Sequence, residues 1–381
     1  MNFELSEEQQ MARASVREFA ENEIAPRARE YDEAEKFPRE QIDGLAELGL
    51  LGMIIPEEYG GAGFDTVSYA LALEEIARAD ASVAVIVSVT NSVCCYPILS
   101  FGTEEQKQKY LVPLAKGEML GAFCLSEPQA GSDATNQKTR ALEDGDFYVL
   151  NGTKSWVTNG GAAGVYLVMA VTGETEGKKE ITAFLVDGDA AGLKVSSVEH
   201  KLGQRASQTT EMSFTDVKVP KENVLGGVGG GMKVAFNSLD NGRIGIAALS
   251  VGIAQAALEE ATRYAKDRVA FGRPIAEFQA IQHKLADMSA ETEAARLLTL
   301  RAAAMKDAGA RNVGAFSSMA KLFASENANR VCAEAIQIHG GNGYSRHYNV
   351  EKYYRDARIT TIYEGTSEIQ RLVISRAILK D

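Results

Sequence analysis

The chain shows three stretches with different patterns of hydrophobic and polar residues. Up to about residue 118, apolar residues recur at helical intervals, as in "MARASVREFAENEI" and "YALALEEIARADASVAVI". From about 119 to 225, short β-branched or aromatic runs such as "VYLVMAV" and "ITAFLV" alternate with Gly, Asn and Asp. Helical periodicity returns from about 230, as in "GIAQAALEEATRYAKDR". This order predicts an α+β protein without the alternating pattern of a parallel Rossmann sheet.

The predicted organisation is an N-terminal all-α domain, a middle antiparallel β-domain and a C-terminal helical domain. We place their boundaries at 1–118, 119–228 and 229–381, and we expect the β-domain to be a barrel or a sandwich. The glycine-rich run 226–231 then links the β-domain to the last helices. No strand–turn–helix unit surrounds this run in the pattern, so a dinucleotide-binding loop is the weaker interpretation.

Local signals indicate where several elements begin. Ser6 with Gln9, Thr103 with Gln106, and Ser367 with Gln370 have the spacing of capping boxes. Asn151-Gly152 lies between two strand-like runs and predicts a hairpin turn.

Composition and charge exclude several classes of function. The 381 residues include 40 Lys and Arg against 52 Asp and Glu, a net charge of −12 without a basic block, which argues against a nucleic-acid partner. No run approaches the roughly 20 apolar residues of a membrane span. The polar, acidic N-terminus does not resemble a targeting segment, which predicts a cytoplasmic protein. Four cysteines without CxxC spacing and four scattered histidines favour buried free thiols and no metal site.

Four segments contain candidate chemistry, and each has a simpler structural interpretation. The turn "FCLSEPQAGSDA" (123–134) exposes N–H groups and hydroxyls that could hold a polar ring or a pyrophosphate, or it is an ordinary turn. Trp156 in "NGTKSWVTNGG" is a core anchor or packs flat on an aromatic cofactor. Arg268 and Arg273 flank Phe271-Gly272 at a break between helices, as phosphate ligands or as solvated loop residues. The glycines of "QIHGGNGY" (337–344) permit close backbone approach.

The fourth segment continues into "RITTIYEGTSEIQ", where Glu364 follows an apolar run and precedes Gly365. Helix initiation at Ser367 explains the end of this motif but not its acid. A carboxylate in apolar surroundings has its pKa raised, because desolvation penalises the charged form. A general base that removes a weakly acidic C–H proton at neutral pH needs that property.

Taken together and in this order, the four segments resemble the acyl-CoA dehydrogenase family essentially from end to end. "FGTEEQKQKYLVPLAKGE", "LDNGRIGIA" and "RDARITTIYEGTSEIQRLVI" are most similar to the short-chain, butyryl-CoA branch. The resemblance implies a C-terminal four-helix bundle, bound FAD, and a homotetramer built as a dimer of dimers. It also implies acyl-CoA as substrate and electron-transferring flavoprotein as electron acceptor.

The resemblance also implies roles for individual residues. The expected FAD contacts are Phe123, Leu125, Ser126, Ser132, Trp156, Thr158, Thr366 and Glu368 from one subunit, and Arg268, Gln279, Gln337, Gly340 and Gly341 from its neighbour. The expected substrate contacts are Ser132, Asp240, Arg243 and Gly365. Glu364 matches the catalytic base that removes the α-proton of the thioester while FAD accepts the β-hydride. Its backbone N–H and a ribityl hydroxyl would stabilise the charge on the thioester oxygen.

Some branches of the family carry the base on an earlier helix, at the place of Gly242. Glycine cannot act as a base, which favours Glu364. Two residues depart from the pattern: Gln129 stands where many relatives have glycine, and His339 stands where an apolar residue is common in the short-chain branch. The histidine either tunes the flavin or is a plain structural substitution.

Other activities remain alternatives at this stage. A branched-chain or medium-chain acyl-CoA dehydrogenase has the same motifs. An acyl-CoA oxidase is disfavoured because such enzymes usually carry a further C-terminal domain. A nitroalkane oxidase typically uses aspartate and a flavin monooxygenase lacks this glutamate, so Glu364 argues against both. The intact Glu364-Gly365-Thr366 motif argues against a non-catalytic CoA- or flavin-binding scaffold.

Overall fold

The computed structural model describes residues 4–380, and its first part is helical. Both predicted capping boxes in this part are present, with Ser6 and Thr103 as N-caps that accept from Gln9 and Gln106. The helices are α1 Glu7–Phe19, α2 Ala28–Ala34, α3 Arg39–Glu47, α4 Thr66–Ala79, α5 Ala81–Val89, α6 Tyr96–Phe101, α7 Glu104–Gln106 and α8 Val112–Ala115.

The middle part is one sheet whose eight strands all fall within the described residues. The strands are β1 Leu120–Cys124, β2 Arg140–Asp144, β3 Phe147–Thr158, β4 Ala163–Thr175, β5 Lys178–Asp187, β6 Leu193–Val198, β7 Thr209–Pro220 and β8 Val224–Leu225. Their order is β6-β7-β3-β2-β4-β5-β8, with β1 paired to β4.

The prediction of an antiparallel domain is wrong for part of this sheet, because β4 pairs in parallel with β1 and, at Arg140 and Val171, with β2. β1 pairs with β4 in parallel, and the β2–β3 hairpin lies between them along the chain, as a parallel pair requires a long connection. Within residues 4–380 the hydrogen-bonded path runs from β6 to β8 and does not close on itself, so a barrel is not confirmed.

The last part contains three long helices and two shorter ones, so a four-helix bundle is not confirmed. They are α9 Gly231–Asp267, α10 Gln279–Asp307, α11 Val313–His339, α12 Val350–Arg358 and α13 Ser367–Ile378. The glycine-rich run joins β8 to α9, as predicted. The break between α9 and α10 is a small hairpin of β9 Val269–Ala270 and β10 Arg273–Pro274. Its two turn residues, Phe271 and Gly272, are both left-handed, as a two-residue hairpin turn requires.

Two hydrophobic cores hold the molecule together. The larger one joins the N-terminal helices to α9, α10 and α11, so both helical parts share one interior. Along β4 the side chains alternate: Val165, Leu167 and Met169 face the helices, whereas Tyr166 and Val168 lie in a second core between strands of the sheet. The domain boundaries at 118/119 and 228/229 remain predictions.

Two local predictions are wrong. Asn151-Gly152 is not a hairpin turn but lies inside β3, at an irregularity between Leu150 and Gly152. A Cβ at Gly152 would lie 2.6 Å from the Thr139 Cα, so this glycine permits close approach of a neighbouring strand segment. The N-cap of α13 is Thr366 and not Ser367, and the Gln370 side chain bonds to preceding carbonyl groups instead of completing a capping box.

The expectation about apolar runs also needs correction. Ala81–Phe101 and Gly231–Asp267 are long and apolar enough to cross a membrane by length and composition. However, 89% and 78% of their most apolar windows are buried inside the protein, which is what core helices show. The four cysteines are free and buried, as predicted.

Candidate functional site

Glu364 lies in a short connection between α12 and α13. Glu364 and Gly365 both have left-handed backbone conformations, with φ of 52° and 93°. For a glutamate this conformation is uncommon and costs on the order of 1 kcal/mol, so other contacts must hold it. The Gln370 amide donates to the carbonyl oxygens of Glu364 and Gly365, at 3.2 and 2.9 Å. The Lys321 ammonium donates to the Gly365 carbonyl at 2.8 Å.

The Glu364 carboxylate points at α9 and meets Gly242. A Cβ at position 242 would lie 1.9 Å from the Glu364 Oε2, so any side chain there would collide with the carboxylate. That oxygen is buried and has no hydrogen-bond partner among residues 4–380. A buried oxygen without a partner is costly in a folded protein and points to a functional role.

The electrostatic surroundings set the acidity of this group. Burial raises the pKa of Glu364 to about 7, and the positive charges of Lys321 and Arg243 counteract part of the rise. Burial likewise lowers the pKa of Lys321 to about 8. A carboxyl group with a pKa near neutrality can both accept and hold a proton under physiological conditions, as a general base must.

Asp240 and Arg243 lie beside this site on α9. The Arg243 guanidinium donates to the Asp240 carboxylate at 2.6 Å. Arg243 is buried, and its Nε has no partner within the described part of the chain. The two predicted substrate contacts are therefore next to the predicted base, and a polar group of a ligand could satisfy this nitrogen.

Sequence reasoning missed three residues that support the glutamate. Lys321 is fully buried on α11, where a single lysine inside the apolar "SMAKLFA" is the signal that could have revealed it. Tyr363 precedes the glutamate and accepts from the Gln204 amide at 3.1 Å. The backbone N–H of Gln204 donates to Asp356, which pairs with Lys352 at 2.7 Å. Gln204 comes from the β6–β7 loop, so the middle part of the chain contributes to the position of this C-terminal segment.

The raised pKa of Glu364 predicts a pH-dependent cost in stability. Below pH 4.5 the group is neutral in both folded and unfolded chains. Between pH 4.5 and about 7 the unfolded chain ionises first, so the folded state loses stability as pH rises, by about 3 kcal/mol in total. Glu364→Gln removes this cost. We expect its free energy of unfolding to exceed that of the parent by an amount that grows from pH 4.5 to pH 8, measured by urea denaturation of the cofactor-free protein.

A matched control is Glu174→Gln, at an exposed position near the end of β4. Its stability difference from the parent should not grow over this pH range. A constant difference for Glu364→Gln would mean that the glutamate ionises in the folded protein as it does in solvent.

The second group of predicted residues lies at the start of the sheet. The Ser155 N–H donates to the Ser126 carbonyl at 2.9 Å, which joins the turn after β1 to β3. Trp156 is 61% exposed with a left-handed φ of 61°, so the core-anchor interpretation is wrong. Leu125 is buried beside this turn, and Phe123 packs partly on the main core. Ser126 and Thr158 are partly buried and Ser132 is exposed.

The third group lies at the opposite end of α9. Arg268 follows the last residue of this helix and Gln279 begins α10, whereas Gln337, Gly340 and Gly341 lie at the end of α11, and all five are exposed. A straight helix from Arg243 to Asp267 is about 36 Å long. Arg268 therefore cannot reach a small ligand at Glu364 of the same chain. The separation between Arg268 and Glu364 supports the expectation that Arg268 contacts the FAD of a second copy of the chain.

The two departures from the expected motifs have structural explanations. His339 is buried, stacks on Tyr264 with ring centroids 4.1 Å apart, and bonds through Nδ1 to the Ala335 carbonyl. This arrangement favours the structural interpretation. The Gln129 amide donates to the Glu127 carboxylate at 2.6 Å and so belongs to the turn after β1. Among residues 4–380, no group of three or more His, Cys, Asp or Glu side chains is arranged to hold a metal ion.

Comparison with known proteins gives matches over the whole chain. Three family models match: Acyl-CoA dehydrogenase, N-terminal domain at residues 6–118, middle domain at 122–217 and C-terminal domain at 229–379. The short-chain specific acyl-CoA dehydrogenase, mitochondrial, of Mus musculus is 51% identical, over 99% of this chain and 91% of that protein.

Two solved structures are equally similar in fold. Butyryl-CoA dehydrogenase from Megasphaera elsdenii has a TM-score of 0.98 and 47% identity, with 100% of both chains covered. A chain from work on the electron transferring flavoprotein of Acidaminococcus fermentans has the same TM-score, identity and coverage.

Proposed function

The chain belongs to the acyl-CoA dehydrogenase family, and from this premise we propose that it oxidises short-chain acyl-CoA thioesters to trans-2-enoyl-CoA with FAD as cofactor. The observation that carries this proposal is the Glu364 carboxylate. Its Oε2 is buried without a partner in residues 4–380, and burial raises the pKa of the group to about 7. Full-length similarity to short-chain and butyryl-CoA enzymes supports the substrate class.

In this proposal Glu364 removes the α-proton of the thioester. Lys321 and Arg243 favour its ionised form before the reaction, and burial makes the carboxylate a stronger base than it would be in water. The backbone N–H of Glu364 would stabilise the charge that develops on the thioester oxygen. FAD, when bound, supplies the acceptor for the β-hydride, and the protein holds the substrate and the cofactor in position.

The exposed Trp156 supports an FAD site at the turn after β1. A large apolar indole left 61% exposed on a strand is available to cover a flat aromatic ring. Phe123, Leu125, Ser126, Ser132 and Thr158 would complete this surface, with Thr366 and Glu368 from the segment that follows the base. Arg268, Gln279, Gln337, Gly340 and Gly341 would serve the FAD of a neighbouring copy.

The surroundings of Glu364 favour a short acyl chain. One helical turn beyond Gly242, a Cβ at Gly245 would lie 2.5 Å from the Ser88 hydroxyl and 2.7 Å from the Tyr69 hydroxyl. Tyr69 is fully buried; burial raises the pKa of its hydroxyl, and the nearby Glu364 charge adds to the rise. We propose that this tyrosine limits the length of acyl chain that fits beside the glutamate. Asp240, Arg243, Ser132 and Gly365 would contact the thioester or its CoA part.

We further propose that electrons leave through an electron-transferring flavoprotein. The structural match to a chain from work on such a flavoprotein in Acidaminococcus fermentans supports this acceptor. The distance between Arg268 and Glu364 supports an assembly of several copies, which the family resemblance predicts to be a tetramer. A cytoplasmic location also remains a prediction.

The proposal is tested by anaerobic titration of the purified, FAD-loaded protein with a ladder of acyl-CoA thioesters. We expect butyryl-CoA to bleach the flavin absorbance near 450 nm at least about tenfold more efficiently than octanoyl-CoA, because one missing or extra methylene in an apolar pocket changes the rate about 10-fold or more. Isovaleryl-CoA tests the branched-chain alternative. Bound flavin that no acyl-CoA reduces would refute the proposal.

A further inference from the structure

The two segments that flank the predicted flavin surface are joined by a buried ion pair. Lys154 of β3 and Glu127 of the turn after β1 are 0% and 4% exposed, and the Lys154 Nζ lies 2.8 Å from the Glu127 Oε1. The same ammonium donates to the Leu125 carbonyl at 3.2 Å and to the Gln137 side-chain oxygen at 3.1 Å. Lys154 therefore uses all three donors inside the protein.

The Glu127 carboxylate gathers donors from both arms of the turn. It accepts from the backbone N–H groups of Lys138 and Thr139 at 2.6 and 3.1 Å, and from the Gln129 amide at 2.6 Å. Glu127 and Ala130 also exchange two backbone hydrogen bonds across the turn. These contacts fix residues 125–139 as one unit around a single side chain. Burial alone would raise the pKa of Glu127, but the charge and hydrogen bond of Lys154, together with the Lys138 and Thr139 donors, lower this pKa to about 2.

This unit lies directly beneath residues that the flavin would contact. Ser155, next to Lys154, donates its N–H to the Ser126 carbonyl. The pairing of β3 with β7 is irregular between Lys154 and Val157, and Trp156 is left-handed at this irregularity. The lysine therefore points inward while the tryptophan is exposed only two residues away.

Stability alone does not explain such a pair. Replacing a buried ion pair by apolar residues of similar volume is often neutral or stabilising, whereas removing one partner is strongly destabilising. A buried ion pair of this kind contributes more to selecting one local conformation over others than to the free energy of unfolding. Here that conformation is the one that joins Ser126 to β3 and leaves Trp156 exposed.

We propose that the Glu127–Lys154 pair is a positioning element that shapes the flavin-binding surface between the turn 125–139 and β3. The inference rests on the proposed FAD site and goes beyond it, because neither residue is expected to touch the flavin. Gln129 belongs to this element, which gives a physical role to a residue that departs from the family pattern. The pair acts through Leu125, Ser126 and Trp156.

The test compares Glu127→Gln, Lys154→Met and the double variant with the parent protein. The double variant leaves no unpaired charge, so its cofactor-free form should fold with a higher thermal midpoint than either single variant. Its dissociation constant for FAD, measured by quenching of FAD fluorescence, should nevertheless rise at least about tenfold. The visible circular dichroism of the bound flavin should change, because the surface around it is no longer fixed.

The control is Lys221→Met with Glu143→Gln, which removes an exposed Lys–Glu pair between β2 and the turn after β7 and should leave FAD affinity unchanged. Gln129→Ala keeps the ion pair and removes one exposed amide, so it should fold normally and weaken FAD binding roughly threefold. If the double variant does not fold, this variant decides the question.

The outcomes separate the two proposals. A parent protein that does not bind FAD would overturn the proposed function together with this inference. A parent that binds FAD, with a folded double variant or Gln129→Ala of unchanged affinity and unchanged flavin spectrum, would overturn the inference alone.

Discussion

Replacing Glu364 with glutamine is expected to slow reduction of the bound flavin by butyryl-CoA on the order of 10³–10⁴-fold, the upper part of the range for loss of a general base. Glutamine keeps the shape of the side chain and its contacts, but its amide cannot accept the α-proton. FAD and acyl-CoA binding should change little, because the carboxylate Oε2 has no protein partner within residues 4–380 whose hydrogen bond the variant would lose. Stopped-flow absorbance at saturating butyryl-CoA without oxygen measures the step directly.

A matched control is Glu174→Gln, at an exposed position near the end of β4 and outside the proposed site. With FAD in excess, this variant should reduce its flavin at close to the parent rate. Near-normal bleaching in Glu364→Gln would place the base elsewhere and would remove the main support for the proposed mechanism. Loss of FAD from Glu364→Gln would instead indicate a structural role for this glutamate.

The glutamate could be predicted from sequence because its signals are local. The motif is an acid after a β-branched apolar run, followed by glycine and a helix cap. A few consecutive residues are therefore enough to recognise it. The same apolar run predicts that the Glu364 carboxylate is desolvated, and the raised pKa in the structure agrees with this prediction. The turn after β1 and the break at Phe271-Gly272 were also recognisable from neighbouring residues.

The remainder of the site depends on contacts between distant parts of the chain. Gly242 is 122 positions before Glu364, and nothing in "LDNGR" reveals that a carboxylate fills the space of its missing side chain. Lys321 and Gln204 reach the same segment from α11 and from the β6–β7 loop. Such pairings depend on the packing of whole elements, which periodicity does not determine.

The wrong predictions have a similar cause. Asn151-Gly152 has the composition of a hairpin turn, but close packing against Thr139 uses its glycine inside a strand. The N-cap of α13 is Thr366, whose hydroxyl accepts from the Ile369 N–H, while Gln370 donates to the carbonyls of Glu364 and Gly365 and completes no capping box. The parallel pairing of β1 with β4 joins strands about 40 residues apart, so strand composition could not distinguish it from an antiparallel pairing.

Replacing Gly242 with alanine is expected to slow flavin reduction roughly 100-fold while FAD binding is retained. Glycine to alanine inside a helix normally stabilises a protein, by up to about 1 kcal/mol. Here the new methyl group would lie 1.9 Å from the Glu364 Oε2, so the carboxylate must move away from its present position. A displacement of about 1 Å in a reacting group can cost about 10²-fold in rate. Single-turnover reduction by butyryl-CoA, compared with the dissociation constant of the same thioester, separates this effect from weaker binding.

The decisive comparison for this contact is the exchange of the two residues. Glu364→Gly should be nearly inactive because no carboxylate remains beside the substrate. In Gly242→Glu with Glu364→Gly, a carboxylate carried by α9 enters the space that Glu364 has left. We expect this double variant to reduce its flavin at least about tenfold faster than Glu364→Gly alone, although slower than the parent because the new acid approaches from a different direction. An unimpaired Gly242→Ala, or a double variant no faster than Glu364→Gly, would show that the functional carboxylate does not lie against α9.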